Sequence, residues 1–127
     1  MLVGVDIIEN ERMARAIARR PRLLERVFTR QEREYCLSKA NPARHFAARF
    51  AAKEAVGKAL GTGVISWQEI EVINAASGQP AVRVSGRTEA AARRAGAGPL
   101  SLSLSHSDSA SVAVVVARRL RTGNEDD

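Results

Sequence analysis

The spacing of apolar residues predicts helices in the first half of the chain and mainly strands in the second. The β-branched segment LVGVDI at 2–7 predicts a strand that ends near Asp6. Apolar residues at helical spacing then predict a helix over residues 9–20, which a proline ends. The segment LLERVF at 23–28 predicts a short second helix.

Capping residues mark the next two helices. Thr29 and Glu32 have the spacing of a capping box, so a third helix is predicted to begin at Thr29. The best-defined helix follows, with Asn41 as its N-cap, a proline at its first position and Gly61 beyond its last turn. Alanines cover most of its surface, so we expect this long central helix to be buried on several sides.

Alternating polar and apolar residues predict the strands of the second half. WQEIEVI at 67–73 and AVRVS at 81–85 are separated by turn residues and predict a hairpin. RTEAAARRAG at 87–96 predicts a short amphipathic helix. LSLSLSH at 100–106 and SVAVVVA at 111–117 predict two further strands that pair with each other.

Length and element order together predict one domain. The 127 residues, 45% of them hydrophobic, suffice for a single core. Because helices and hairpins are segregated, we expect an α+β fold, with an antiparallel sheet packed against helices and one long central helix. We assign residues 1–121 to this domain and 122–127 to a polar C-terminal tail. Without a membrane-length apolar run, a signal peptide or a second cysteine beside Cys36, the predicted location is the cytoplasm.

The net charge of +6 comes from the first sixty residues, with seven arginines between Arg12 and Arg30. Such a stretch attracts nucleic acid, acidic lipid, acidic protein or a phosphorylated ligand, although a solvated helix face explains it about equally well. A nucleic-acid-binding module is disfavoured, because the chain has five aromatic residues and no motif of that class. A hydrolase is also disfavoured, because Ser105, His106 and Asp108 lie too close in sequence to form a triad.

The central helix carries four charged residues among its alanines: Arg49, Lys53, Glu54 and Lys58. Glu54 and Lys58 can form an ordinary i,i+4 pair worth about 0.2–0.5 kcal/mol, and the other cations can extend to solvent. Alternatively, one carboxylate among three cations leaves room for a phosphate. Asp6 is by itself most often a turn or cap residue, but with Glu54 it offers two hard oxygen ligands for magnesium beside a phosphate. His106 suits a phosphate or ribose contact or a structural hydrogen bond.

Three segments together resemble one family: GVDIIENER at 4–12, FAARFAAKEAVGKALGTG at 46–63 and SLSHSDSASVAVVVA at 103–117. They are similar in order and spacing to the signature regions of holo-acyl-carrier-protein synthases, the small bacterial 4′-phosphopantetheinyl transferases. SWQEIEV at 66–72 fits the strand after the second signature. The resemblance implies the fold of that family and transfer of 4′-phosphopantetheine from coenzyme A to a serine of apo-acyl carrier protein, with release of adenosine 3′,5′-bisphosphate.

The resemblance also implies a site. It makes Asp6 and Glu54 the Mg²⁺ ligands and Glu54 and Lys58 the catalytic residues, with the general base open between a metal-bound water, Glu54 and a carboxylate of the partner. The implied coenzyme A ligands are Arg49, Lys53, Lys58, Gly61 and His106. His106 is expected to act from a neighbouring subunit of a homotrimer with sites at its interfaces.

The resemblance further implies a partner and shows two departures. First-helix arginines are expected to hold the acidic carrier protein, with no nucleic acid or membrane as partner; these arginines are Arg12, Arg19 and Arg22. Asn10 stands where the family more often has an apolar residue, and Ala110 stands where an aromatic residue is common.

Overall fold

The computed structural model describes residues 1–120 as five α-helices, a three-stranded sheet and a two-stranded hairpin. The elements in chain order are β1 (Leu2–Glu9), α1 (Asn10–Arg19), α2 (Leu23–Val27), α3 (Arg30–Leu37), α4 (Pro42–Leu60), a 3₁₀ turn (Trp67–Glu69), β2 (Ile70–Asn74), β3 (Pro80–Val84), α5 (Gly86–Arg94), β4 (Ser101–His106) and β5 (Ala110–Ala117). The predicted α+β class is therefore confirmed. The predicted polar tail lies outside the described residues.

The larger sheet has the strand order β1–β5–β4, and both pairings are antiparallel. Helix α4 crosses one face of this sheet with its alanines buried, as predicted from its composition. Gly4 allows the contact, because a Cβ there would overlap the carbonyl oxygen of Ala55 and lie 2.7 Å from the amide nitrogen of Ala59. The backbones of β1 and α4 therefore touch, two residues before Asp6.

A second apolar cluster lies between α4 and the first three helices. Phe28 and Phe46 pack with ring centroids 4.8 Å apart, beside Met13 and Cys36. Cys36 is fully buried in this cluster, and burial raises the pKa of its thiol to about 12, so it packs as a small apolar residue and not as a reactive thiolate. Among residues 1–120, no helix is both long and apolar enough to cross a membrane.

Two boundaries differ most from the sequence prediction, by three residues each. Strand β1 does not end near Asp6 but continues to Glu9, because β5 pairs with it along its whole length up to Ala110. Asp6 therefore lies inside the strand. The segment predicted as a strand over 67–73 begins with the 3₁₀ turn, in which the N–H of Glu69 donates to the carbonyl oxygen of Ser66 and the N–H of Ile70 donates to that of Trp67. The Trp67 carbonyl also accepts a hydrogen bond from a side chain of α4.

Candidate active site

Three predicted site residues, Asp6, Glu54 and Lys58, meet where β1 crosses α4, and we call them the carboxylate site. The half-exposed Lys58 places Nζ 3.0 Å from Asp6 Oδ1 and donates to the carbonyl oxygen of Val5 at 3.1 Å. Lys58 thus makes its ion pair with the strand and not along its own helix. The i,i+4 pair with Glu54, considered from the sequence, is replaced by a contact between two elements.

The electrostatics of Glu54 show that the two carboxylates influence each other. Partial burial raises its pKa above the ordinary value of 4.5, the negative charge of Asp6 raises it further, and Lys58 opposes the shift. A cation between the two carboxylates would relieve this repulsion, so the residues fit a divalent metal ion. No group of three or more His, Cys, Asp or Glu side chains within residues 1–120 is arranged for metal binding, so the other ligands would be water or substrate oxygens.

Lys53, predicted to contact coenzyme A, lies instead in the protein interior. Its side chain and that of Glu32 are both 0% exposed, with Nζ 2.7 Å from Glu32 Oε1. The ammonium also donates to the carbonyl oxygens of Trp67 at 2.9 Å and Ile70 at 2.6 Å. All three of its N–H groups are therefore used within the chain, and this geometry disagrees with the predicted ligand role.

Glu32 explains the disagreement, because it is both the capping residue predicted from the sequence and the buried partner of Lys53. It does complete the capping box with Thr29, as predicted. Its second oxygen accepts the backbone N–H of Val72 at 2.7 Å. One buried carboxylate thus joins α3, α4 and β2, and no sequence pattern links Glu32 to Lys53.

Arg49 and His106 both lie near His45 of α4, in what we call the imidazole cluster: Tyr35, His45, Arg49 and His106. The buried Arg49 guanidinium lies 4.2 Å from the Tyr35 ring centroid, and its Nε has no hydrogen-bond partner within residues 1–120. The His45 ring lies 5.9 Å from both the Tyr35 and His106 rings. Burial lowers the pKa of His45 below 6.5, and His106 and Arg49 lower it further.

His45 was missed from the sequence, although it lies one turn before Arg49 on the same helix and that spacing could have identified it. The exposed His106 borders an open depression of about 350 Å³. Glu54 follows His45 by nine positions, which is about 14 Å along a helix with a rise of 1.5 Å per residue, and it follows Arg49 by five positions, which is about 7.5 Å. Within one chain, the histidines of the imidazole cluster are therefore separate from the carboxylate site.

The remaining predicted residues are exposed. Gly61 ends α4 in the left-handed region with φ of 76°, as its predicted C-cap role requires, and its N–H donates to the Lys58 carbonyl oxygen. Arg12 and Arg19 lie on α1. Arg22 lies between α1 and α2, on an open pocket of about 460 Å³ lined by Arg20, Pro21, Arg22, Leu23 and Arg26.

Comparison with known proteins defines the class. A family model described as the 4′-phosphopantetheinyl transferase superfamily matches residues 2–115. The chain belongs to this superfamily and, on the relatives and structures that follow, to its holo-[acyl-carrier-protein] synthases. It is therefore an enzyme, and the family predicted from the three sequence segments is confirmed.

The relatives include a holo-[acyl-carrier-protein] synthase from Moorella thermoacetica, 50% identical over 100 residues that cover 77% of this chain and 78% of the relative. The solved synthase from Neisseria meningitidis superposes with a TM-score of 0.84 at 30% identity, covering 93% of this chain and 99% of that one. The Helicobacter pylori synthase, in complex with coenzyme A, has a TM-score of 0.80 at 28% identity and covers 92% of this chain and 100% of that one.

Proposed function

We propose that this enzyme transfers 4′-phosphopantetheine from coenzyme A to a serine of an apo-acyl carrier protein, with Mg²⁺ and with release of adenosine 3′,5′-bisphosphate. The observation that carries the proposal is the carboxylate site, where two carboxylates and an ammonium group converge at the junction of β1 and α4. This combination is suited to a metal-assisted phosphoryl transfer.

The metal is proposed to bind between Asp6 and Glu54. Their mutual repulsion, which contributes to the raised pKa of Glu54, supports a cation at this place. When bound, Mg²⁺ would withdraw charge from the phosphate oxygens that share it. The chain would contribute two carboxylates to the metal. Diphosphate oxygens of coenzyme A and water would complete the ligand set.

Lys58 is proposed to stabilise the charge that develops on the diphosphate. Its ammonium is half exposed and is oriented by Asp6 and by the carbonyl oxygen of Val5. The serine oxygen forms a bond to the β-phosphorus as the bond to the adenosine 3′,5′-bisphosphate oxygen breaks, and Lys58 neutralises that leaving oxygen. The serine proton passes to a carboxylate, for which Glu54 and an acidic residue of the carrier protein are the alternatives, and Glu54 is the weaker base of the two while it holds the metal.

The imidazole cluster is the proposed site for the nucleotide phosphates of coenzyme A. Arg49, His45 and His106 converge there, and Arg49 keeps an Nε that is unpaired among residues 1–120. The solved Helicobacter pylori synthase is a complex with coenzyme A, which supports coenzyme A as a ligand of this enzyme. Lys53 is left out of the site because its ammonium is buried and paired, and Gly61 stays a prediction.

A homotrimer is part of the proposal, and the outer face of the larger sheet supports a subunit interface. Val3, Val5 and Ile7 are 57%, 52% and 66% exposed, and valines of β5 stand opposite them in register. An apolar face of this extent is typical of an interface. Such an assembly would bring His106 of one subunit to the carboxylate site of the next. Within one chain, the neighbour of His106 on α4 is His45, which lies about 14 Å from Glu54 along that helix.

The carrier protein is proposed to dock on the basic surface of α1 and the loop that follows it, through Arg12 and Arg19 of α1 and Arg22 of the loop, because acyl carriers are expected to be acidic and these side chains are exposed. The cytoplasmic location predicted from the sequence belongs to the same proposal.

The test is mass spectrometry of an apo-acyl carrier protein after incubation with the enzyme, Mg²⁺ and coenzyme A. We expect one phosphopantetheine to be added to the carrier. An unchanged carrier mass, while a competent control transferase modifies the same preparation, would refute the proposed function.

A further inference from the structure

Asn10, the first residue of α1, uses its whole side chain to bind the turn between β4 and β5. Nδ2 donates to the carbonyl oxygens of Ser107 at 2.9 Å and Asp108 at 3.2 Å. Oδ1 accepts from the hydroxyl of Ser111 at 2.7 Å, and the backbone N–H of Asn10 donates to Ser109 O at 2.9 Å. The three residues of this turn, 107–109, are therefore tied to the end of β1 by one residue.

Ser111 extends the connection to the central helix. It is 1% exposed, and its hydroxyl also lies 3.4 Å from the carbonyl oxygen of Arg44 in the first turn of α4. Asn10 is itself only 6% exposed. Buried polar groups that satisfy one another select a single arrangement of the elements they join, because any other arrangement leaves them unpaired.

Other contacts hold the turn to the rest of the fold less firmly. Residues 107–109 are exposed, so no large apolar side chain anchors them. The hairpin closes on itself, because the Ser107 N–H donates to the carbonyl oxygen of Ala110 at 2.9 Å and the Ser107 hydroxyl receives the amides of Ser109 and Ala110 at 3.3 Å each. From outside the hairpin, the Arg44 guanidinium lies 3.5 Å from the exposed Asp108 carboxylate. The buried contacts of the turn to the rest of the fold are therefore those of Asn10, and His106, which pairs with Ser111, leads into the turn.

We propose that Asn10 is a positioning residue for His106. Together with Ser111 it holds the turn so that the His106 imidazole stays beside His45 and faces the nucleotide phosphates of coenzyme A. The position of His106 beside His45 concerns the free protein alone. That His106 faces the nucleotide phosphates of coenzyme A rests on the proposed function. Asp6 lies four residues earlier in β1 and its ion pair with Lys58 is independent of the turn.

The first test is NMR on the free protein. In Asn10→Leu, backbone order parameters of residues 107–109 should fall from about 0.85 to below about 0.6, and the His106 ring resonances should shift. The double variant Asn10→Leu/Ser111→Ala replaces the polar pair by an apolar one, so it should regain stability while the turn stays mobile. The control Asn74→Leu changes an exposed asparagine, and it should alter neither the order parameters of the turn nor the His106 ring resonances. Unchanged order parameters and His106 resonances in both Asn10 variants would overturn the proposal.

The second test separates positioning from general stability. Asn10→Leu should raise KM for coenzyme A about fivefold or more with kcat little changed, and it should add nothing further in a His106→Ala background, because residues that act through one group are not additive. If Asn10→Leu raised KM for coenzyme A equally in the unmodified protein and in His106→Ala, the proposal would be overturned. Since the NMR measurement needs no substrate, it decides the positioning of His106 even if the unmodified protein shows no transfer, which would count against the proposed function alone.

Discussion

The buried pair of Lys53 and Glu32 predicts that Lys53→Met destabilises the protein severely. The substitution removes the ammonium 2.7 Å from a carboxylate that is 0% exposed, and two carbonyl oxygens lose their donor. Removing one partner of a buried ion pair costs about 3–5 kcal/mol, because the other charge is left uncompensated. That is a large part of the total stability of about 5–15 kcal/mol that is typical of a domain.

Urea unfolding followed by tryptophan fluorescence measures this loss directly. Trp67 is the single tryptophan, it stacks on Phe50 with ring centroids 5.1 Å apart, and its own carbonyl accepts from Lys53. The control is Lys39→Met, because Lys39 is exposed and lies 4.6 Å from the Tyr35 ring, a contact worth about 0.5–1 kcal/mol.

A loss below about 1 kcal/mol in Lys53→Met would refute the reasoning, since an unpaired buried carboxylate costs more than that. Glu32→Gln combined with Lys53→Met should lose less than the sum of the two single variants, by roughly 0.5–3 kcal/mol, because the residues are in contact. If Lys53 were instead a ligand of coenzyme A, its replacement would raise KM for coenzyme A and leave the unfolding midpoint unchanged.

Glu54→Gln should stabilise the metal-free protein at neutral pH, because burial and repulsion from Asp6 raise the pKa of this carboxyl in the folded state. The penalty is complete above the raised pKa and absent below the ordinary value of 4.5, so the gain measured by urea unfolding should shrink as the pH falls; a gain that grows toward acid would contradict this. Gly4→Ala should cost about 3 kcal/mol or more, because its Cβ meets the backbone of α4. The control Gly78→Ala should cost only about 1–2 kcal/mol, because Gly78 has a positive φ but no atom near its Cβ position. Equal losses of stability for the two variants in thermal unfolding would argue against the close contact between Gly4 and α4. Arg12→Glu should raise KM for the carrier about tenfold, or 1.4 kcal/mol, with little change in KM for coenzyme A; equal changes would remove Arg12 from the docking surface.

Local chemistry made the helices predictable from the sequence. The capping box of Thr29 and Glu32 and the left-handed Gly61 are determined by residues within one turn, and the structure has both. The extent of β1 was predicted less well, because its last residues become a strand through pairing with β5, more than a hundred positions away. Secondary structure that depends on a distant partner carries little local signal.

The same distinction separates the site residues. The sequence predicts that Glu54 and Asp6 meet, because both positions match motifs of the holo-acyl-carrier-protein synthases. The structure brings the two carboxylates close enough to influence each other. The direction of Lys53 could not be predicted, since a lysine on an alanine-rich helix either reaches solvent or meets a buried anion, and here Glu32 lies on another helix. Asn10 stood out as a polar exception, but its partner Ser111 is 101 residues away.

The most direct test of the proposed mechanism is the initial rate of carrier modification as a function of Mg²⁺ concentration, compared between the unmodified enzyme and Glu54→Gln. We expect a saturable dependence on Mg²⁺ for the unmodified enzyme and a rate at least about 100-fold lower for the variant, because one of the two carboxylates proposed to bind the metal is lost. A rate that is independent of Mg²⁺, or a Glu54→Gln variant as active as the unmodified enzyme, would contradict it.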